Sequence, residues 1–303
     1  MKHITVLIIT LFLAMQNNCN AQNDGNKVSR KEIDKTKNTE VKNNTKVKQD
    51  KETKEKNNLK VLTDGSYSSV EDKFIFVARD KKSFETLSKL LDDFELKEKI
   101  DFEKNIVVAA FAGMLTTGGY SVEINETGGK ISIKLNSPPK GGMVTQALTQ
   151  PFSVVLIPLN KDESLNLAVS DYWKEKSHNY SVKSGSIEYS GGIAGIRKQF
   201  ETEGTVQVYK LNKFVTLVLD LKGIGKESSR KLSEVISGEL QDNSLTVENI
   251  HGGNLIEIPH PPVKFGADFS DNKISIKLVA EDKNSPVRDG FSGKGTLEAV
   301  KVN

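Results

Sequence analysis

The sequence predicts an α+β protein of two domains, each a mainly antiparallel sheet with one amphipathic helix, behind an N-terminal leader and a polar tether. Three observations predict it. Short apolar or alternating runs recur through residues 59–303, two segments place apolar residues three and four apart, and the charged run from Tyr172 to Asn179 divides the strand patterns into two sets. The expected boundaries are 1–21 for a signal peptide, 22–58 for a disordered linker, 59–173 for the first domain and 174–303 for the second.

Lys2 and His3 precede an apolar run from Ile4 to Met15, and Cys19-Asn20-Ala21 puts small residues three and one positions before Gln22. That is the anatomy of a cleaved secretory leader, because the apolar run is too short to span ~30 Å of hydrocarbon. The alternative, a lipid anchor at Cys19, wants small residues just before the cysteine. Gln16, Asn17 and Asn18 stand there instead and argue against it. Cys19 is the only cysteine, so cleavage leaves a mature chain without disulfide or thiol chemistry. The expected location is exported, periplasmic or extracellular. No other segment is long and apolar enough to be a transmembrane helix.

Gln22 to Asn58 is nearly all Lys, Asn, Thr, Glu, Asp and Gln, with too little apolar surface to offset the entropy of ordering. It holds 11 basic and 7 acidic residues, a net +4, and Lys2 adds one more. The whole chain carries +3, so residues 59–303 net −2. The basic character therefore belongs to the leader and tether, and the expected partners exclude nucleic acid.

In the first domain "KFIFVARD" reads as a strand. "SFETLSKLLDDFEL" reads as a helix capped by Ser83, with Phe84, Leu87, Leu90, Leu91 and Phe94 on one face. The nearly continuous apolar run Ile106 to Phe111 predicts a strand buried on both sides. "YSVEI" and "KISIKL" alternate around the turn "NETGGK", and "FSVVLIP" supplies a further strand. Trp173, the only tryptophan, is placed to pack between the domains.

In the second domain "YSVKSGSIEYS", "TVQVYKL", "FVTLVLDL", "NLIEIP", "VKFGADFS", "KISIKLVA" and "TLEAVKV" read as strands. "KESSRKLSEVIS", with Leu232, Val235 and Ile236 on one face, reads as the second helix. The hexamer "KISIKL" occurs at 130–135 and again at 273–278. Duplication would explain it, but alternating Lys and Ile suits any half-exposed strand, and the flanking residues do not keep step.

Chemistry is poorly represented. His178, His251 and His260 lack the i, i+4 spacing of a zinc site, and two histidines without a third ligand make a poor metal site. The nucleophile elbow and the phosphate loop are both missing, and the paired carboxylates lie in charged contexts where a raised pKa is not expected. The expectation is a non-enzymatic protein with no catalytic residue, no metal and no cofactor. What stands out is glycine, proline and hydroxyl residues at strand ends. In "AGMLTTGGYSVEI", Gly118 and Gly119 permit positive φ or close backbone approach, and Tyr120 opens the next strand. One reading is a tight turn with a tyrosine anchoring a core. The other is a binding loop.

The ordered run "IDFEKNIVVAAFAGMLTTGGYSVEI" and "SPPKGGMVTQALTQPFSVVLIP" resembles the C-terminal domain of the protease complex subunit PrcB over roughly residues 70–160. The matching positions are Asp101-Phe102, Gly113, Thr117 to Tyr120, Pro138-Pro139, Met143, Gln146 and Thr149 to Phe152. The resemblance implies an exported protein that associates with an extracellular protease and supports its assembly or stability. More faintly, "IEYSGGIAGIRKQFETEG" and the strand-then-helix order after it, over about 184–240, are similar to emfourin-like partners and inhibitors of metalloproteases. Ile193 stands where those proteins carry an aromatic residue.

The expected function is a secreted non-enzymatic protein that binds a serine or metalloprotease, as stabilising subunit or as inhibitor. The alternative is a cell-envelope scaffold, or a glycan- or protein-binding module unrelated to proteases. The candidate partner-binding residues are Thr116, Thr117, Gly118, Gly119, Tyr120, Pro138, Pro139 and Met143, with Gly191 and Gly192 from the second domain. Loops pre-set by a rigid sheet lose little entropy on binding.

Overall fold

A computed structural model describes residues 59–92, 99–127, 130–159, 165–191, 196–226, 229–250, 262–282 and 291–302. All of them lie in the compact unit Glu55–Asn303.

The first part begins with strands β1 (Lys60–Gly65) and β2 (Phe74–Ala78), helix α1 (Lys81–Leu90) and strand β3 (Asn105–Phe111). It continues through β4 (Ser121–Thr127), β5 (Lys130–Asn136), β6 (Phe152–Pro158), β7 (Asn166–Val169) and the single turn α2 (Asp171–Lys174). Strands β1-β6-β3-β2 make an antiparallel sheet; β4 and β5 form a hairpin, and β7 joins β5 in parallel. All of β2, and β3 from Ile106 onward, are buried. Their alternation is therefore lost, as expected of strands covered on both faces. The core around them draws on Leu87 and Leu90 of α1, the β4–β5 hairpin, and Leu167 and Val169 of β7.

Helix α1 starts from a capping box. Asp80 accepts the Ser83 N–H at 2.7 Å, and Ser83 Oγ accepts the Asp80 N–H at 3.0 Å. The N-cap is thus Asp80, and Ser83, taken from the sequence as the cap, is the reciprocal partner inside the first turn.

The second part is a meander of eight strands. These are β8 (Ser177–Gly191), β9 (Ile196–Leu211), β10 (Phe214–Ile224), β11 (Ser229–Glu239), β12 (Ser244–Ile250), β13 (Val263–Phe269), β14 (Lys273–Asp282) and β15 (Phe291–Lys301). They form one antiparallel sheet in the order β11-β10-β9-β8-β15-β14-β13-β12. Each strand pairs with its sequence neighbour except at β11 and β12, and β15 closes back onto β8. One apolar core gathers side chains from all eight strands, so the sheet curls around its own filled interior in the manner of a small up-and-down barrel.

The predicted α+β class is corrected: the described residues hold fifteen strands and two helices, one of them a single turn, and the protein is mostly β. The second helix does not exist. "KESSRKLSEVIS" lies largely in β11, in continuous register with β10 from Phe214↔Glu239 to Ile224↔Ser229. Leu232 and Ile236 point into the barrel core while Val235 packs in the first core. A strand buried on both faces no longer alternates, so its apolar positions mimic helical spacing. The stretch "KQFETEG", which interrupts the apolar pattern, lies within the continuous strand β9. "NLIEIP", His251 and His260 lie outside the described residues.

The two cores meet where β2 lies against β9, β10 and β11. Strand β2 is an edge, and its outward backbone groups are met by side chains instead of another strand. Thr216 Oγ1 donates to the Ile75 carbonyl, Ser237 Oγ accepts the Val77 N–H at 2.9 Å, and the two hydroxyls bond each other at 2.7 Å. One step further, Arg79 reaches β11. Its Nε donates to the Val235 carbonyl at 3.3 Å and its guanidinium pairs with Glu234; the side chains are 1% and 0% exposed. Burial pushes the guanidinium's pKa down to about 9, which leaves it charged at neutral pH. Trp173, also fully buried, donates its indole N–H to the Phe111 carbonyl at 2.9 Å. It shares a core with Tyr209, Leu211 and Phe214 of the barrel strands.

Candidate functional site

The chain leaves the buried end of strand β3 at Ala112, whose N–H donates to the Pro151 carbonyl at 2.8 Å. Gly113 follows at φ +71°, with a position for a Cβ only 2.7 Å from the Glu71 carbonyl oxygen. That close approach lets Met114 N–H reach the same carbonyl at 2.8 Å. Leu115 and Thr149 then exchange both backbone hydrogen bonds, at 2.8 and 2.9 Å, and Thr149 Oγ1 donates to the Thr117 carbonyl at 3.0 Å. The buried Thr149 thus fixes the loop that holds Thr116 and Thr117.

Gly118 and Gly119 stand where the second loop crosses the first. The Gly118 N–H donates to the Thr145 carbonyl at 2.9 Å, and a Cβ on Gly118 would sit 2.3 Å from Thr145 Oγ1. Gly119 has φ +86° and would place a Cβ 2.9 Å from Pro138 Cβ and 3.4 Å from Val144 Cγ1. At both glycines an added side chain would crowd the crossing of the 116–120 and 138–145 segments. The turn reading and the binding-loop reading are compatible: the turn is what builds the loop pair. Tyr120 is half-buried beside Tyr172, whose phenol is pushed up by burial, by Glu175 and by Tyr120. Tyr172 in turn donates to the Ala112 carbonyl at 2.6 Å and carries Lys73 Nζ over its ring at 3.9 Å. Lys73 also pairs with Glu175 at 2.7 Å.

Eight of the sequence-predicted residues, Thr116 to Tyr120, Pro138, Pro139 and Met143, fall in this loop pair. Gly191 does not. It ends β8, opposite Ile196 of β9 and Phe291 of β15, and none of the hydrogen bonds tying 115–120 to 145–149 reaches it. Gly192 lies outside the described residues.

The structure adds residues that sequence reasoning missed. Ten large apolar side chains are exposed among the described residues, and five of them, Tyr67, Met114, Met143, Val144 and Leu148, belong to these loops or the strand end beside them. Tyr67 joins the group because the Gln150 N–H donates to the Ser66 carbonyl at 2.9 Å. A signal was present in principle. Met114 and Leu148 are apolar residues in segments with no strand or helix period, where no core position calls for them.

Residues 106–158 match the PrcB C-terminal family model. The match begins in β3, ends with β6 and contains the whole loop pair. The match reproduces the resemblance that the ordered motifs predicted from residue 106 to residue 158, and leaves Asp101-Phe102 and the rest of 70–105 outside it. The match does not extend to 184–240, where the helix of the emfourin-like pattern is strand β11. No curated protein and no solved structure shows significant similarity to the chain.

Reactive groups are sparse around the loops. Among the described residues no three His, Cys, Asp or Glu side chains are grouped to hold a metal ion, and no helix is long and apolar enough to cross a membrane. A cleft of about 520 Å³ lies elsewhere, between α1 and the β11–β12 corner, and includes Lys82, Glu85, Glu239 and Asp242 in its lining.

Proposed function

We propose that this is an exported, non-enzymatic binding protein that docks on a secreted protease through the loop pair at residues 114–120 and 138–149. The observation that carries this reading is the coincidence of three things in one place: the PrcB-family match, the exposed apolar side chains, and loops braced by backbone hydrogen bonds. Braced loops lose little conformational freedom on binding, and exposed Met, Leu and Tyr supply desolvation energy at the centre of an interface. The barrel acts as a second rigid body locked to the docking domain through Arg79–Glu234 and the Thr216–Ser237 hydroxyls. The leader and the polar 22–58 tether fit export followed by display away from a surface. A partner that binds only the folded chain raises the folded fraction of both components by mass action.

The test is co-elution of the mature protein with a panel of secreted serine and metalloproteases. At least one is expected to co-elute with it, and Met143→Asp combined with Leu148→Asp is expected to abolish the complex without lowering Tm. Absence of a complex with any protease, or a complex indifferent to both substitutions, would refute the reading.

A further inference from the structure

Pro139 to Gly142 form a β-turn closed by the Gly142 N–H on the Pro139 carbonyl at 3.0 Å, with Gly141 at φ +77° in its third position. That is the type II arrangement, which glycine there favours. Met143 follows immediately and is fully exposed, and every residue from Gly142 to Gln146 is exposed with no secondary-structure element covering it. Yet the backbone is held on both sides of Met143. The turn fixes Gly142, the Gly118 N–H fixes Thr145, and Val144 Cγ1 and Pro138 abut Gly119 from the inner side. An apolar side chain held out into solvent by a backbone that cannot fold it back gains nothing for the fold.

This geometry suits one kind of partner. A flat protein surface would be met by the whole apolar group, whereas a protruding, exposed, five-residue stretch with one unbranched apolar side chain at its crest matches a concave, chain-binding cleft. Resting on the protease reading, we infer that residues 142–146 enter the substrate cleft of an endopeptidase whose primary pocket is apolar, with Met143 filling that pocket. Tyr67, Met114 and Leu148 contact the cleft's rim. Hydrolysis of the Met143–Val144 bond would add one water across it and leave a carboxylate on Met143 and an amine on Val144. The bracing at Gly142 and Thr145 keeps those two ends together, so cleavage is slow and the loop occupies the cleft as an inhibitor.

The full mature chain is titrated into chymotrypsin, which has an apolar primary pocket, and into trypsin, which requires Lys or Arg there. Hydrolysis of a short chromogenic peptide and mass spectrometry of the protein are followed together. The expected result is competitive inhibition of chymotrypsin, with cleavage confined to Met143–Val144 and proceeding over hours, and no inhibition of trypsin despite the adjacent Lys140. Met143→Asp raises the inhibition constant at least tenfold with Tm unchanged. Gly119→Ala, which loosens the brace, raises the cleavage rate at that bond at least tenfold. Capture of a protease by the loops with full activity on the short peptide would overturn this inference and leave the docking reading standing. Failure of any protease to bind would end both. Cutting at several loop bonds within minutes, or inhibition that Met143→Asp does not change, would likewise overturn it.

Discussion

Three glycines of the first part of the chain share a similar positive φ and differ in what surrounds them, which makes them an informative series. Gly141, Gly119 and Gly113 have φ values of +77°, +86° and +71°. An alanine at any of them bears the left-handed conformational cost, about 1–2 kcal/mol. At Gly141 nothing lies within 4 Å of the new Cβ, so this is the whole effect. At Gly119 the Cβ meets Pro138 Cβ at 2.9 Å, a contact that a shift of the 138–145 loop relieves in part, adding about 1 kcal/mol of overpacking. At Gly113 it meets three backbone atoms of Glu71, Asp72 and Lys73 between 2.7 and 2.9 Å, and backbone cannot rotate away. The added cost there is about 2–3 kcal/mol, at the upper end of the overpacking range. Urea denaturation of the three single variants is therefore expected to rank them Gly141→Ala, Gly119→Ala, Gly113→Ala in increasing loss. The extremes should differ by about 2–3 kcal/mol, which corresponds to roughly 4–12 °C in Tm for a unit of this size. Equal losses at all three would refute the claim that close backbone approach, and not φ alone, builds this loop pair.

Three further predictions concern the rest of the unit. Glu234→Gln removes the charge paired with the buried Arg79 and is expected to cost about 3–5 kcal/mol, whereas replacing both residues with Met and Leu costs far less; thermal unfolding of the two variants against the parent protein checks this. Ser237→Ala strands the Val77 N–H and should cost about 1–3 kcal/mol; combined with Thr216→Val, the double-mutant cycle should show clear non-additivity, because the two hydroxyls bond each other. The Glu175 carboxyl is held below its ordinary value, first by its hydrogen bond to Lys73 and then by that residue's charge. A depressed folded-state pKa contributes stability above the unfolded value and loses it as pH falls below about 4.5, so Lys73→Met should remove a small acid-side slope from the stability–pH curve.

Many strands were legible because their segments announce their periods. The run Ile106–Phe111 is apolar throughout and is buried throughout, and "KISIKL" alternates in both copies, with Ile131, Ile133, Ile274 and Ile276 buried and the flanking lysines outside. The segment Ser229–Glu239 was illegible for a physical reason. Its polar residues Ser233, Glu234 and Ser237 are buried and bonded, so the polar–apolar contrast that separates a strand from a helix is missing. Strands β1, β7 and β12 escaped notice: β7 has only four residues and β1 is largely exposed. At the site, Gly118, Gly119 and Pro138 were visible as punctuation, since few residues tolerate what a loop crossing demands. Met114, Val144 and Leu148 offered only the weaker signal of apolar residues without a period, and their exposure is a property of the assembled loops.

The docking claim is tested most directly by amide hydrogen exchange on the full mature chain, alone and with the protease that co-elutes with it. The account predicts new protection at residues 114–120 and 138–149, with the barrel strands β12 to β14 unchanged. Protection confined to the barrel, with the loop pair exchanging as in the free protein, would contradict it.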